Sequence, residues 1–203
     1  LRRLGRDGSL DELVTVLSDW ERWAAEILES HVSFPILGYF RSQHDNQSWL
    51  AALTVILDTS ALSMIGVGGA PTSQARRTFA MARHAAVDLS QVLNASPTHR
   101  HGRERPGVGE PESVHAVPGR SGVTLADIAD ALGSAAVGVS VELSDEKQAR
   151  LDKMRRSYEP YVEALAVRLL SPLPPLIESA PARDNWLTSP WETIADPGSG
   201  KGG

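Results

Sequence analysis

The chain has 203 residues, enough for one domain with a buried core but a small size for two. Its 20 Lys and Arg against 25 Asp and Glu give a net charge of −5, which argues against binding nucleic-acid phosphates as a main task. The absence of cysteine excludes disulfides, thiolate metal sites and a cysteine nucleophile. We therefore expect a cytoplasmic globular protein with no nucleic-acid partner.

The first helix is predicted from a capping-box spacing, with Ser9 three residues before Glu12. Apolar residues then recur every three or four positions, which is typical of an amphipathic helix, and this pattern continues to about Ser30. The sequence Phe34-Pro35 ends the pattern, because a proline disfavours helical backbone at the residue before it. We expect a corner at this point.

A second, strongly apolar helix is predicted from about Gln47 to Ile65, with Asp45 and Asn46 as its caps. The stretch 49–70 is long enough to ask whether it crosses a membrane. Its only charged residue, Asp58, lies in the middle, where an ionised group is costly in lipid, so we favour a helix buried in protein. A third helix is predicted from Pro71 to Asn94.

The rest of the chain is predicted to alternate between irregular segments and helices. Residues 95–121 are rich in Pro, Gly and charge and are predicted to form a flexible loop. A short helix follows from Thr124 to about Leu132. A longer one starts at Ser144 and is interrupted by Pro160, so that residues 160–170 continue at a kink or as a separate helix. An extended tail follows, in which we expect Trp186 and Trp191 to dock on the helices.

These patterns predict an all-α bundle of about five to six helices, because no alternation of period two persists. The predicted organisation is a single helical domain over residues 9–170 and an extended tail over 171–203. Within the domain, residues 9–94 form a three-helix core, 95–121 the loop and 122–170 the C-terminal helices.

Polar residues concentrate at the entrance to the apolar helix, and others follow on the second and third helices. The candidate polar cluster, structural or regulatory, contains Arg41, His44, Asp45, Asn46, Asp58, Arg83, His84 and Asp88. One interpretation makes the histidines and carboxylates a metal or acid–base site, with His84 and Asp88 one turn apart on one helix face. The interpretation we favour is structural: Asp45 and Asn46 cap a helix, and Arg41, Asp58, Arg83 and His84 satisfy one another inside the bundle.

Motifs typical of enzymes are missing from the sequence. It contains no Gly-x-Ser-x-Gly, no His-Glu-x-x-His and no phosphate-binding loop placed before a helix. It also lacks the paired Glu-x-x-His repeats of di-iron bundles. We therefore predict no catalytic residue, no bound metal and no cofactor.

One long motif spans the start of the second predicted helix. Residues 39–53 read YFRSQHDNQSWLAAL, and shorter matching pieces are DWE at 19–21, WAAE at 23–26, LDT at 57–59, FAMARHAAVDL at 79–89 and YEPY at 158–161. Together they resemble the soluble region that follows the membrane part of bacterial potassium-channel-family proteins, which have two membrane helices and a pore loop. The resemblance covers about two thirds of the chain, from Leu13 to Leu170, without the loop.

The resemblance implies a regulatory or assembly domain at the cytosolic face of the plasma membrane. Its partners would be further copies of itself and the membrane pore segment of the parent protein. The sequence has no Thr-Val-Gly-Tyr-Gly filter, so we do not expect these residues to conduct ions themselves. Two alternatives stay open: a soluble helical interaction module, and a metal-binding bundle enzyme that uses His44, Asp58, His84 and Asp88.

Overall fold

The computed structural model describes residues 10–40, 48–69, 72–95, 97, 120–134 and 143–177. These residues form five α-helices and two short 3-10 helices and include no strand, which confirms the predicted all-α class. The α-helices are α1 (Leu10–Ser33), α2 (Trp49–Met64), α3 (Thr72–Val92), α4 (Leu125–Ser134) and α5 (Asp145–Leu169). Across these ranges, no helix combines the length and the apolar character needed to cross a lipid bilayer.

Helix α1 runs three residues beyond its predicted end at Ser30 and stops before Pro35. Pro35 opens the 3-10 helix Pro35–Tyr39, since its fixed φ and missing N–H suit a first helical turn. Leu17 and Ala24 are fully buried against the rest of the bundle, as the apolar period predicts. The proposed cap Ser9 lies outside the described residues.

Helix α2 is the centre of the bundle, and twelve of its sixteen residues are buried. Its N-cap is Ser48, whose Oγ accepts a hydrogen bond from the backbone N–H of Ala51 at 2.9 Å. The prediction that Asp45 and Asn46 cap this helix is therefore wrong. A serine directly before the first turn satisfies one of the helix's free N–H groups with its side chain.

Helix α3 packs against α1, α2 and α5. Its predicted apolar stripe is confirmed, because Ala82, Ala86 and Leu89 are fully buried. The hydroxyl of Thr78 links α3 to α1 by donating to the carbonyl of Leu17 at 2.8 Å. Helix α2 itself contacts α1, α3 and α5.

The C-terminal helices differ from the sequence prediction in one respect. Ser144 is the N-cap of α5, as predicted, and accepts from the N–H of Lys147 at 3.2 Å. Of the two outcomes predicted at Pro160, a separate helix is wrong, because α5 continues through the proline to Leu169. Tyr158 and Val162 are fully buried on either side, and this packing offsets the hydrogen bond that the proline removes.

The ends of the predicted flexible loop also differ from expectation. Ala95 is 6% exposed and Arg120 only 1% exposed, so both ends are anchored in the protein. Between them, 96 and 98–119 lie outside the described residues. The chain after α5 is extended, as predicted, with Leu173 buried. Trp186 and Trp191, which we expected to dock, lie outside the described residues.

Candidate functional site

Asp58 lies in the middle of α2 and is the centre of a buried charged cluster. Its carboxylate accepts two parallel hydrogen bonds from the guanidinium of Arg120, Nη1 to Oδ2 at 2.8 Å and Nη2 to Oδ1 at 2.7 Å. Asp58 is 8% exposed and Arg120 is 1% exposed. This bidentate geometry is the strongest form of a carboxylate–arginine pair, and it compensates for removing both charges from water.

Tyr158 of α5 is a further hydrogen-bond partner of Asp58. Its hydroxyl donates to Asp58 Oδ1, and its ring packs edge-on against Phe79 with centroids 5.9 Å apart. Burial and the negative charge of Asp58 raise the pKa of Tyr158 well above its ordinary value. The phenol therefore stays protonated and continues to donate at neutral pH.

A second layer holds the backbone that carries Arg120. The side chain of Arg155 donates to two carbonyls, to that of Arg120 at 2.6 Å and to that of Val123 at 2.9 Å. Its Nε donates to Glu159 Oε1 at 2.9 Å, and the same oxygen lies 3.5 Å from Arg120 Nη2. Two arginines and two carboxylates thus form one network, which we call the Asp58–Arg120 cluster.

The cluster also reaches the segment after α5. Arg120 Nη1 donates to the carbonyl of Pro174 at 3.0 Å. Burial disfavours the charge on Arg120, but the hydrogen bonds and charge of Asp58 outweigh that effect and raise the pKa of Arg120. A permanently charged side chain therefore connects α2, the backbone before α4 and the extended segment after α5.

The structure places the eight predicted cluster residues in three groups. Arg41, His44, Asp45 and Asn46 lie outside the described residues. Asp58 is buried, but the prediction that it pairs with Arg83 and His84 is wrong. Arg83 instead donates from Nε to the carbonyl of Ser157 at 3.0 Å. Asp58 points to the segment before α4, which supplies the cation Arg120, and to α5, which supplies the phenol of Tyr158.

His84 and Asp88 share a face of α3, as predicted. Their Nε2 and Oδ2 atoms are 3.5 Å apart, and the two side chains are 60% and 39% exposed. This exposed pair is not part of the buried network of Asp58. Within the ranges that the structure describes, no three His, Cys, Asp or Glu residues are arranged to hold a metal ion.

Sequence reasoning missed Arg120 and Tyr158. A carboxylate in the middle of an apolar helix must be paired with a cation, so Asp58 itself indicated that such a partner exists. The four-residue spacing of Leu151, Arg155 and Glu159, with Tyr158 beside them, also marks the face of α5 that meets the cluster. Arg120 carries no local signal, because it follows a Pro- and Gly-rich stretch.

A shallow groove lies where α5 ends and α2 begins. Tyr39, Phe40 and Trp49 contribute to its lining, and the indole Nε1 of Trp49 donates to the carbonyl of Gly38 at 3.3 Å. His31 packs against Trp49 with ring centroids 5.0 Å apart. Burial lowers the pKa of His31, and its Nε2 has no hydrogen-bond partner.

Large apolar side chains stand exposed around this groove. We define the apolar end surface by five of them, with their exposed fractions: Phe34 (65%), Ile36 (64%), Tyr39 (44%), Phe40 (68%) and Leu170 (76%). Arg168 lies over the ring of Tyr39, 5.8 Å from its centroid. Four of the five lie within the seven residues 34–40, and exposed apolar patches are typical of interaction sites.

Comparison of the chain with protein-family models, curated proteins and solved structures gives no match.

Proposed function

We propose that the chain is a non-catalytic regulatory and assembly domain of a potassium-channel-like membrane protein, acting at the cytosolic face of the membrane. The observation that supports this most is the hydrogen bond between Tyr158 and Asp58. These residues belong to two separate motifs of the channel resemblance, YEPY at 158–161 and LDT at 57–59. A contact between the two motifs gives them a shared structural role.

The chemistry of Asp58 favours a non-catalytic role. Its two oxygens accept three hydrogen bonds, two from Arg120 and one from Tyr158. A general base or a metal ligand needs a free lone pair within reach of its substrate or metal. Asp58 is 8% exposed and protein donors take three of its acceptor sites, which suits a structural contact that is either made or broken.

The connectivity of the cluster favours a regulatory role. Arg120 ties α2 to the segment that leads into α4 and to the carbonyl of Pro174 after α5. Loss of this one side chain from its site would release both segments together. A packed element with two discrete arrangements is the kind of device through which one domain biases a neighbour.

The experiment tests the domain together with the proposed channel segment. The natural reading frame upstream of Leu1 is expected to encode two apolar segments around a filter loop. The protein containing both parts would be reconstituted in liposomes, and potassium flux would be compared for wild type, Asp58→Asn and Asp88→Asn. We expect Asp58→Asn to change the flux, and Asp88→Asn, an exposed carboxylate on α3, to leave it unchanged.

A reading frame without a pore would overturn the attachment to a channel. Equal flux in all three proteins would overturn the regulatory role while leaving the attachment intact. A soluble helical interaction module is then the second candidate function, and the exposed apolar end surface favours it.

A further inference from the structure

The apolar end surface carries almost no charge. Residues 32–40 read VSFPILGYF and contain no ionisable group except Tyr39. The nearby cation Arg168 is engaged, since its Nε donates to the carbonyl of Leu93 at 3.1 Å and it covers the ring of Tyr39. Two copies of this surface would bring together mainly apolar side chains.

Leu170 adds an independent observation. It is the C-cap of α5 and adopts the left-handed conformation, with φ +50° and ψ +39°. Glycine is the usual residue at such a helix end, because a Cβ is disfavoured there. The leucine side chain is also 76% exposed, so burial within the described protein does not compensate for the strain. A contact beyond the described residues would bury this side chain.

The size of the surface fits a second copy. Large side chains present about 150–250 Å² each, and with the exposed fractions above the five side chains leave on the order of 600 Å² of apolar area. A standard interface buries about 800 Å² on each partner, including its polar rim. The apolar end surface therefore supplies most of what one side of a dimer needs.

We propose that the apolar end surface is the contact between two copies of this chain, related by a two-fold axis. In such a dimer the same patch serves both partners, and an apolar patch is complementary to itself. Phe40 lines the groove, and Leu170 lies between Leu169 and Ser171, which also line it. This inference rests on the proposed assembly role and names the surface that performs it.

The test measures the mass of the full 203-residue chain by sedimentation equilibrium at several concentrations. Two variants alter the surface: Phe40→Asp places a charge in it, and Leu170→Gly removes a side chain while relieving the strained backbone. Leu143→Asp is the matched control. Leu143 is 57% exposed and precedes the N-cap of α5, at the far end of a helix about 37 Å long.

We expect the wild type and Leu143→Asp to have twice the 21.8 kDa mass of one chain. Both surface variants should raise the dimer dissociation constant at least tenfold. Leu170→Gly should do so without lowering the melting temperature of the diluted monomer, which separates lost contact from lost folding.

Three results would overturn the inference. An oligomer that both surface variants leave intact would place the interface elsewhere and keep the assembly role. A monomeric wild type would remove the assembly role as well. In a monomer labelled with 5-fluorotryptophan, Trp186 and Trp191 resonances that move in Phe40→Asp but not in Leu143→Asp would assign the surface to the chain's own C-terminal segment.

Discussion

The centre and the end of this bundle reverse the usual placement of polar and apolar groups. At the centre, three charged residues and a tyrosine are buried among α2, α5 and the segment before α4, and Glu159, which is 18% exposed, joins them. At the end, five large apolar side chains are exposed around the 3-10 helix Pro35–Tyr39 and at the C-cap of α5. Buried polar groups and exposed apolar patches are the informative departures from ordinary packing.

The two departures carry different costs. The Asp58–Arg120 cluster is stable only while every member keeps its partner, so a change there acts on folding. The apolar end surface is already in water, so a change there acts mainly on association. The contrast suggests that one region holds the shape of the domain and the other connects it to a partner.

The sharpest test of this contrast is Asp58→Asn. The substitution leaves the buried guanidinium of Arg120 without its counter-charge, and we expect a loss of about 3–5 kcal/mol in the free energy of unfolding. Urea denaturation at pH 7 would measure it, with Asp88→Asn as an exposed control that changes stability by less than about 0.5 kcal/mol. A loss no larger than the control's would mean that the cluster does not hold the fold.

A second variant asks whether the centre needs its charges at all. Arg120→Met alone should destabilise strongly, because it orphans Asp58. The triple change Asp58→Leu, Arg120→Met and Tyr158→Phe removes the carboxylate, the cation and the hydroxyl together. We expect it to recover about 2 kcal/mol or more relative to Arg120→Met, measured by the same urea titration. A triple variant less stable than Arg120→Met would show that the network stabilises the protein beyond compensating for the burial of its own charges.

At the apolar end, Gly38→Ala probes the packing beneath the surface. A Cβ on Gly38 would lie 2.8 Å from Leu93 Cδ1, so we expect overpacking to cost about 1–3 kcal/mol in thermal or urea unfolding. Gly133→Ala is the opposite control. Gly133 lies in α4 with nothing within 4 Å of a Cβ, and alanine should stabilise the helix by about 0.5–1 kcal/mol. Equal effects from the two alanines would contradict close packing at Gly38.

The smallest expected effect is the pH dependence of His31. Burial lowers its pKa in the folded protein below 6.5, so the unfolded chain binds the proton more readily. Its contribution to stability is complete above pH 6.5 and is lost as the pH falls toward the folded-state pKa. His31→Phe keeps an aromatic ring beside Trp49 and should flatten the dependence of unfolding free energy on pH between 7 and 5. Parallel curves for the two proteins would contradict this.

Local patterns predicted most of the helices but not the site. The apolar periods located α1, α2 and α3, and Ser144 was recognised as a cap because capping acts within three residues. No separate helix begins at Pro160, because burial on both sides of the proline overrides its local preference. The partners of Asp58 were missed because they lie 62 and 100 residues away along the chain.

The sequence by itself determined an all-α chain, since hydrophobic period and helix caps are properties of neighbouring residues. It also required a partner for Asp58, because a charge in an apolar helix cannot stay unpaired. Only the tertiary structure decided that this partner is Arg120 and that Tyr158 shares the carboxylate. It alone decided, too, that Phe40 and Leu170 are exposed, because solvent exposure depends on which distant segments fold over a residue.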